Sequence, residues 1–226
     1  MPTTAEQTKG HRERLKKRFL TGGTAALADY ELLELLLMQA IPRRDVKPIS
    51  KDLIKKFGSF SKVLNAPEKE LKETPYVGDS VVTTLKLSLG VAEVYRKEKL
   101  KTTPKMDKLN LLDYLYTKFS SLEHEEFHVI YLDNKNKMID DHRLFRGTIN
   151  NAAVYPREIV KQALQKNAAS MVLVHNHPSG DPTPSLDDER ITLEIQAAAQ
   201  ILEIQVHDHI VIGDKQHYSF ADHGKL

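Results

Sequence analysis

The chain has 226 residues, 40% hydrophobic and 28% charged, with a formal net charge of +2, an ordinary globular composition long enough for one large or two modest domains. It contains no cysteine, which excludes disulfides, thiolate zinc fingers, cysteine nucleophiles and the cysteine-ligated zinc of nucleoside deaminases. No stretch approaches the roughly 20 apolar residues that cross a bilayer, and MPTTAEQTKGHRERLKKRF at the N-terminus lacks the apolar segment of a secretory signal, so a cytoplasmic chain without a membrane partner is expected.

From 11 to 100 the hydrophobic periodicity is helical. DYELLELLLMQ (29–39) carries apolar residues at helical spacing, VKPISKDLIKKFG (46–58) ends at a glycine, and SFSKVLNA (59–66) follows. NAPEKELKET (65–74) opens on an asparagine suited to capping, with proline near the first turn. DSVVTTLKLSLGVAEVYRKEK (79–99) is the longest helix expected, although its β-branched opening argues against helix locally. The polar stretch KLKTTPKMDKLN (99–110) places a domain boundary near 101–106, giving domains of 1–102 and 103–226. Charge divides at the same place: residues 1–100 carry +6 and residues 101–226 carry −4, a hint of different partners.

Beyond the boundary, LNLLDYLYTKFSSL (109–122) reads as an amphipathic helix. EEFHVIYLD (125–133) alternates like a half-buried strand, DNKN supplies a turn, and KMIDDHRLFRG (137–147) returns as its hairpin partner. YPREIVKQALQKNAA (155–169) and SLDDERITLEIQAAAQILEI (185–204) read as helices, SMVLVHN as a short buried strand, and VHDHIVIGD (206–214) and HYSF (217–220) as closing strands. Helix-flanked strands make this half α/β or α+β.

The chemistry gathers in HNHPSGDPTPSLDD (175–188). In extended backbone, His175 and His177 face one way, which suits adjacent corners of a zinc tetrahedron. The loop PSGDPTP turns sharply with little freedom and delivers Ser185 and Asp188 onto the next helix, where Asp188 can add an oxygen ligand. Two histidines and a carboxylate leave a fourth position for water, the layout of a catalytic zinc, whose bound water has its pKa lowered to about 7. A general base is then needed, and EHEEF (123–127) offers candidates; Ser185 would stand near a developing oxyanion. The same residues have a purely structural reading, because Ser185 and Asp188 are spaced as a capping box and an HxH pair can be polar surface. The histidines of VHDHIV (206–211) are rival ligands, but alternation there fits a strand with Val206, Asp208, Ile210 and Ile212 on one face. HNH nucleases spread their residues over a longer element, and two-metal phosphoryl chemistry favours more carboxylates than this motif offers.

His175-x-His177-x7-Ser185-x-x-Asp188, with an upstream glutamate opening a strand, resembles the JAMM (MPN+) metalloprotease motif, and HNHPSGDPTPSLDD resembles the signature of the bacterial RadC family. ELLELLLM, FGSFSKVLNA and the helical hairpin after it are similar to the N-terminal region of that family; GTINNAAVYPREIVKQAL and DHIVIG are similar to its catalytic half. The resemblance implies a helical, helix-hairpin-helix-like N-terminal domain followed by an MPN/JAB-type mixed sheet flanked by helices. It implies one Zn2+ per chain held by His175, His177 and Asp188, with Ser185 at the oxyanion. The base falls on Glu126 rather than Glu125, since an acid-then-Phe pair opens the strand and alternation sets Glu126 on the face of His128 and Ile130. The activity implied is hydrolysis of an amide or isopeptide bond in an unidentified protein or peptide. The edge strands of such a sheet leave room for a homodimer.

The alternative is a DNA-repair accessory that binds DNA through residues 1–100, with a non-catalytic metal site. A helix-hairpin-helix grips phosphate through backbone amides at a helix start. In PYVGDSVVTTLK (75–86), Tyr76 stands where that module has a glycine, Asp79 adds negative charge, and Val81 replaces a usual lysine.

Overall fold

The computed structural model describes residues 4–103, 106–119, 122–147 and 154–226. The chain divides into two compact units, Met1–Val91 and Ala92–Leu226. That division falls inside a helix, ahead of the polar stretch at 101–106, of which 104 and 105 lie outside the described residues.

The first unit is helical: α1 (Thr4–Gly22), a 3-10 turn (Thr24–Ala26), α2 (Asp29–Ala40), α3 (Lys47–Phe57), α4 (Phe60–Asn65), α5 (Glu68–Lys72) and the opening of α6 (Asp79–Thr102). Leu33, Leu37, Leu53, Leu71 and Leu85 form its fully buried centre. α3 stops where Gly58 takes a φ of 91°, a left-handed cap that glycine adopts without steric penalty. Asn65 does not cap α5. It ends α4, and Pro67 is the cap residue, because a residue before proline is driven out of the helical region, as Ala66 is at ψ 142°. α6 forms despite its β-branched opening because Val81 and Val82 are buried in the core beside Leu85, and burial overrides a weak propensity. Much of the basic run at 11–19 serves the fold. Arg12 donates to the carbonyls of Ile41 and Arg44, and Arg18 pairs with Glu31 at 2.7 Å.

The second unit contains α7 (Lys108–Phe119), β1 (Glu126–Leu132), β2 (Met138–Arg146), α8 (Pro156–Gln165), β3 (Ser170–Asn176), α9 (Leu186–Gln200), β4 (Gln205–Ile212) and β5 (His217–Ser219). Two expected stretches run partly outside the described residues: 120–121 at the end of the helix expected over 109–122, and 148–153 within GTINNAAVYPREIVKQAL. The strands form one mixed sheet in the order β2-β1-β3-β4-β5, antiparallel except for β3 with β4. The expected fold class, helices followed by a helix-flanked mixed sheet, is what the chain adopts. Phe127, Val129, Tyr131, Met171 and Leu173 pack on one side with α8 and α9. Ile130, Leu132, Val172, Val174, Ile210 and Ile212 pack on the other with α7.

Strand β4 departs from simple alternation. Its register against β3 runs Met171 to Val206 and then Val172 to Asp208, so His207 is an extra residue, and such a bulge flips the faces beyond it. Val206 therefore packs with α8 and α9 while Ile210 and Ile212 pack with α7, which corrects the expectation of one shared face. The flip puts His209 on the face of Phe127, Leu173 and His175. Among the described residues, no helix is long and apolar enough to cross a membrane.

Candidate metal centre

His175 and His177 leave the end of β3 on the same side, as their spacing requires. His175 is fully buried and His177 half-buried. His177 N–H donates to Ile212 O at 2.9 Å, Gly180 N–H to His177 O at 2.9 Å, and Asp214 N–H to Gly180 O at 2.9 Å. These bonds pin the Pro/Gly loop against the β4–β5 turn. The loop returns at Ser185, the N-cap of α9, and Asp188 stands one turn along.

Three donor side chains converge. His175 Nε2 lies 3.0 Å from His177 Nε2 and 3.3 Å from Asp188 Oδ1, and His177 Nε2 lies 3.6 Å from Asp188 Oδ2. A tetrahedron with metal–ligand bonds of about 2.0 Å has edges of about 3.3 Å, so the spacing fits one cation. The chemistry fits as well. His177 Nδ1 donates to Asp181 O at 2.8 Å, which leaves Nε2 facing the other donors. Asp188 Oδ1 is buried without a hydrogen-bond partner, and such an orphaned oxygen is costly unless a positive charge meets it. Burial alone would raise the Asp188 carboxyl, but His175, His177 and Ser185 hold it far below the usual carboxylate range. Asp188 in turn draws the His177 pKa upward against the effect of burial. The cluster draws positive charge and can hold a metal ion.

The capping box is real too. Ser185 N–H and Oγ donate to Asp188 Oδ2 at 2.7 and 2.6 Å, and Asp188 N–H returns a bond to Ser185 Oγ at 3.2 Å. The cap and the donor cluster share this aspartate: one carboxylate oxygen closes the cap and the other faces the donors. The Ser185 hydroxyl thus gives its proton to Asp188 rather than to an oxyanion position.

The fourth member of the cluster is Glu125, whose carboxylate lies within 4.8 Å of the other donor atoms. Glu126 is not among them. Phe127 pairs directly with His175 across β1 and β3, so odd-numbered residues of β1 share the His175 face and Glu126 points to the opposite side. There its Oε2 meets His128 Nε2 at 3.1 Å and its Oε1 accepts from Arg143 at 3.2 Å. The expected alternation with His128 and Ile130 is correct, but that face packs on α7. Asn176, between the two histidines, donates to His124 O at 3.1 Å and accepts from Glu126 N–H at 2.9 Å, so one amide brackets Glu125.

Residues 106–225 match the family model of the RadC-like JAB domain. The chain is 46% identical over 219 residues to the UPF0758 protein SPO0054 of Ruegeria pomeroyi, covering 96% of this chain and 98% of that relative. It is also 46% identical over 213 residues to a UPF0758 protein of Rhodobacter capsulatus, covering 94% and 100%. This chain belongs to the RadC family. Within this RadC-family chain, neither His207 nor His209 joins the donor cluster. His207 meets Asn136 at 2.9 Å, whereas His209 stands directly behind His175 at 2.8 Å. Asn176 escaped the sequence reading because a single amide between two histidines carries no pattern; His209 was weighed only as a rival ligand because the bulge that turns it inward is invisible to alternation.

Gly213 supports the loop by leaving room for it. An added Cβ would stand 2.3 Å from Gly180 O and 2.9 Å from Pro182 Cδ. Gly213→Ala is expected to cost roughly 1–3 kcal/mol as overpacking, read by chemical denaturation, and to weaken metal binding by displacing the backbone that carries His177.

Proposed function

We propose that this chain is a zinc-dependent hydrolase of the JAMM type, cleaving an amide or isopeptide bond in a protein or peptide. The observation that carries this reading is the meeting of two imidazole nitrogens and the orphaned Asp188 Oδ1 on one point, with Glu125 beside them. Held by His175, His177 and Asp188, the ion supplies Lewis acidity and a water whose pKa is lowered to about 7.

The chain's own residues do the rest. Glu125 takes the proton of the attacking water on a carboxylate oxygen and passes it to the leaving nitrogen. Ser185 keeps Asp188 Oδ2 occupied so that Oδ1 faces the ion. The loop bonds at Gly180 and Ile212 hold His177 in place, which limits rearrangement during the reaction.

Metal analysis of protein purified with zinc present tests this directly. About one zinc per chain is expected in the wild type, with loss in His175→Ala and in Asp188→Ala variants that remain folded. A wild-type chain that retains no stoichiometric zinc overturns the reading.

The competing reading, DNA binding through residues 1–100, draws on the +6 charge of that stretch. It requires binding that weakens steeply between about 50 and 200 mM salt. At the turn where phosphate would approach, Tyr76 takes a φ of 69° with the Arg44 guanidinium 3.7 Å over its ring, and Asp79 pairs with Lys72 at 2.5 Å. A side chain and an acid therefore stand in the path of that approach.

A further inference from the structure

The ligand His175 has a second polar neighbour that the metal reading does not use. Its Nδ1 lies 2.8 Å from His209 Nε2, and His209 Nδ1 lies 2.6 Å from Thr192 Oγ1. Thr192 Oγ1 also lies 2.5 Å from the carbonyl oxygen of Asp188, one turn back on α9. All three side chains are buried, and the His209 ring is enclosed by Phe127 and Phe220, with centroids 5.5 and 4.8 Å away.

The proton on each atom follows from what its partner can do. A carbonyl oxygen carries no proton, so the contact with Asp188 O is made by the Thr192 hydroxyl as donor. That hydroxyl has a single proton, so toward His209 it must accept, and His209 Nδ1 carries the hydrogen. The ring nitrogens of His209 meet Thr192 and His175 rather than a carboxylate, and with the Nδ1 hydrogen directed at Thr192 the ring turns its other nitrogen to His175. Its Nε2 is then a bare acceptor. His175 donates to it from Nδ1, which turns His175 Nε2 toward the cluster, 3.0 Å from His177 Nε2 and 3.3 Å from Asp188 Oδ1.

We propose that Thr192 and His209 are positioning residues that lock His175 in its Nδ1–H tautomer, presenting Nε2 as a ligand atom before any metal arrives. The inference rests on the reading of His175, His177 and Asp188 as metal ligands for its purpose, but not for its geometry. The chain of bonds starts at the Asp188 main chain and ends beside the Asp188 carboxylate. It ties α9, β4 and β3 into one ring and holds two of the ligands at a fixed separation. Partners behind a ligating histidine serve this role generally, and their loss lowers metal affinity about 10–100-fold.

Long-range 1H–15N correlation spectra of the imidazoles in metal-free wild-type protein test the lock without any variant. The expected result is His175 and His209 both protonated at Nδ1 and bare at Nε2; a predominant Nε2–H tautomer at His175 overturns the proposal. Competition with a chromogenic chelator then measures Zn2+ affinity. His209→Leu is expected to lose about 10–100-fold, with a changed d–d spectrum when Co2+ replaces zinc. Thr192→Val should weaken affinity and give mixed tautomers at His209, while Thr192→Ser and His209→Gln, which keep the hydroxyl and the acceptor, should recover most of it. Wild-type affinity in folded His209→Leu also overturns the proposal. If the wild type shows the expected tautomers yet binds no Zn2+, the lock stands and the hydrolase reading fails.

Discussion

Glu125→Gln is expected to keep its zinc and lose about 10²–10⁴-fold in hydrolysis, the usual contribution of a positioned general base. Glutamine preserves the shape of the side chain and removes its ability to take a proton, and Glu125 lies with the donor atoms of His175, His177 and Asp188. Glu126→Gln should leave the chemical step within a few-fold of the wild type, because that carboxylate sits across the sheet against His128 and Arg143. Rates are read by mass spectrometry on peptides that the wild type cleaves from a proteome-derived library, with zinc content measured on the same samples. A zinc-loaded Glu125→Gln protein with wild-type rates would remove this residue from the chemistry. Loss confined to Glu126→Gln would return the role to its neighbour.

Asp141→Asn should produce the largest loss of stability. Asp141 lies on the α7 side of the sheet with its side chain 1% exposed. Its Oδ1 meets His128 Nδ1 at 2.7 Å, and its Oδ2 accepts from Lys118 Nζ at 2.5 Å and from the Tyr114 hydroxyl. Burial, with Asp141 alongside, pushes the Tyr114 phenol far above its ordinary value, so it remains a donor. Burial would also raise the Asp141 carboxyl, but His128 and Lys118 outweigh it and hold the group well below the usual 3.8. Neutralising it removes the counter-charge of the partly buried Lys118 ammonium, at about 3 kcal/mol near neutral pH. The linkage has a definite sign. A carboxyl depressed in the folded state contributes fully above its unfolded pKa of about 3.9 and less as pH falls below that. Wild-type stability, from denaturant midpoints, should therefore fall more steeply on the acid side than that of Asp141→Asn. Parallel curves from pH 5 downward would show that Asp141 does not drive acid unfolding.

The donor cluster was legible because its arrangement is local: two histidines two apart at a strand end, a rigid loop, and an aspartate on the first turn of a helix. The base was not. Glu125 and Glu126 are adjacent, and the alternation of β1 says only that they face opposite ways. Which face carries the donor cluster depends on Phe127 standing opposite His175, a pairing between segments that are about 50 residues apart. His209 was hidden for a related reason, since a bulge at His207 reverses the parity read from VHDHIV. The Asn65 cap failed on something the sequence did contain, because Pro67 forces Ala66 out of the helix. Local rules carried the helices, the hairpin and the donor cluster, and pairings across the sheet decided the rest.

The amide of Asn176 takes on a further meaning beside two consecutive acids. Sliding β1 by a single residue along β3 would exchange the two carboxylates between faces, delivering Glu126 to the histidines and driving Phe127 out of its layer. The segment could make that error without changing its composition or its strand propensity. By gripping the carbonyl before Glu125 and the N–H after it, Asn176 makes the correct alignment the one in which both bonds close. The asparagine between the two histidines thus favours one strand alignment, choosing which of two identical side chains faces the donor cluster.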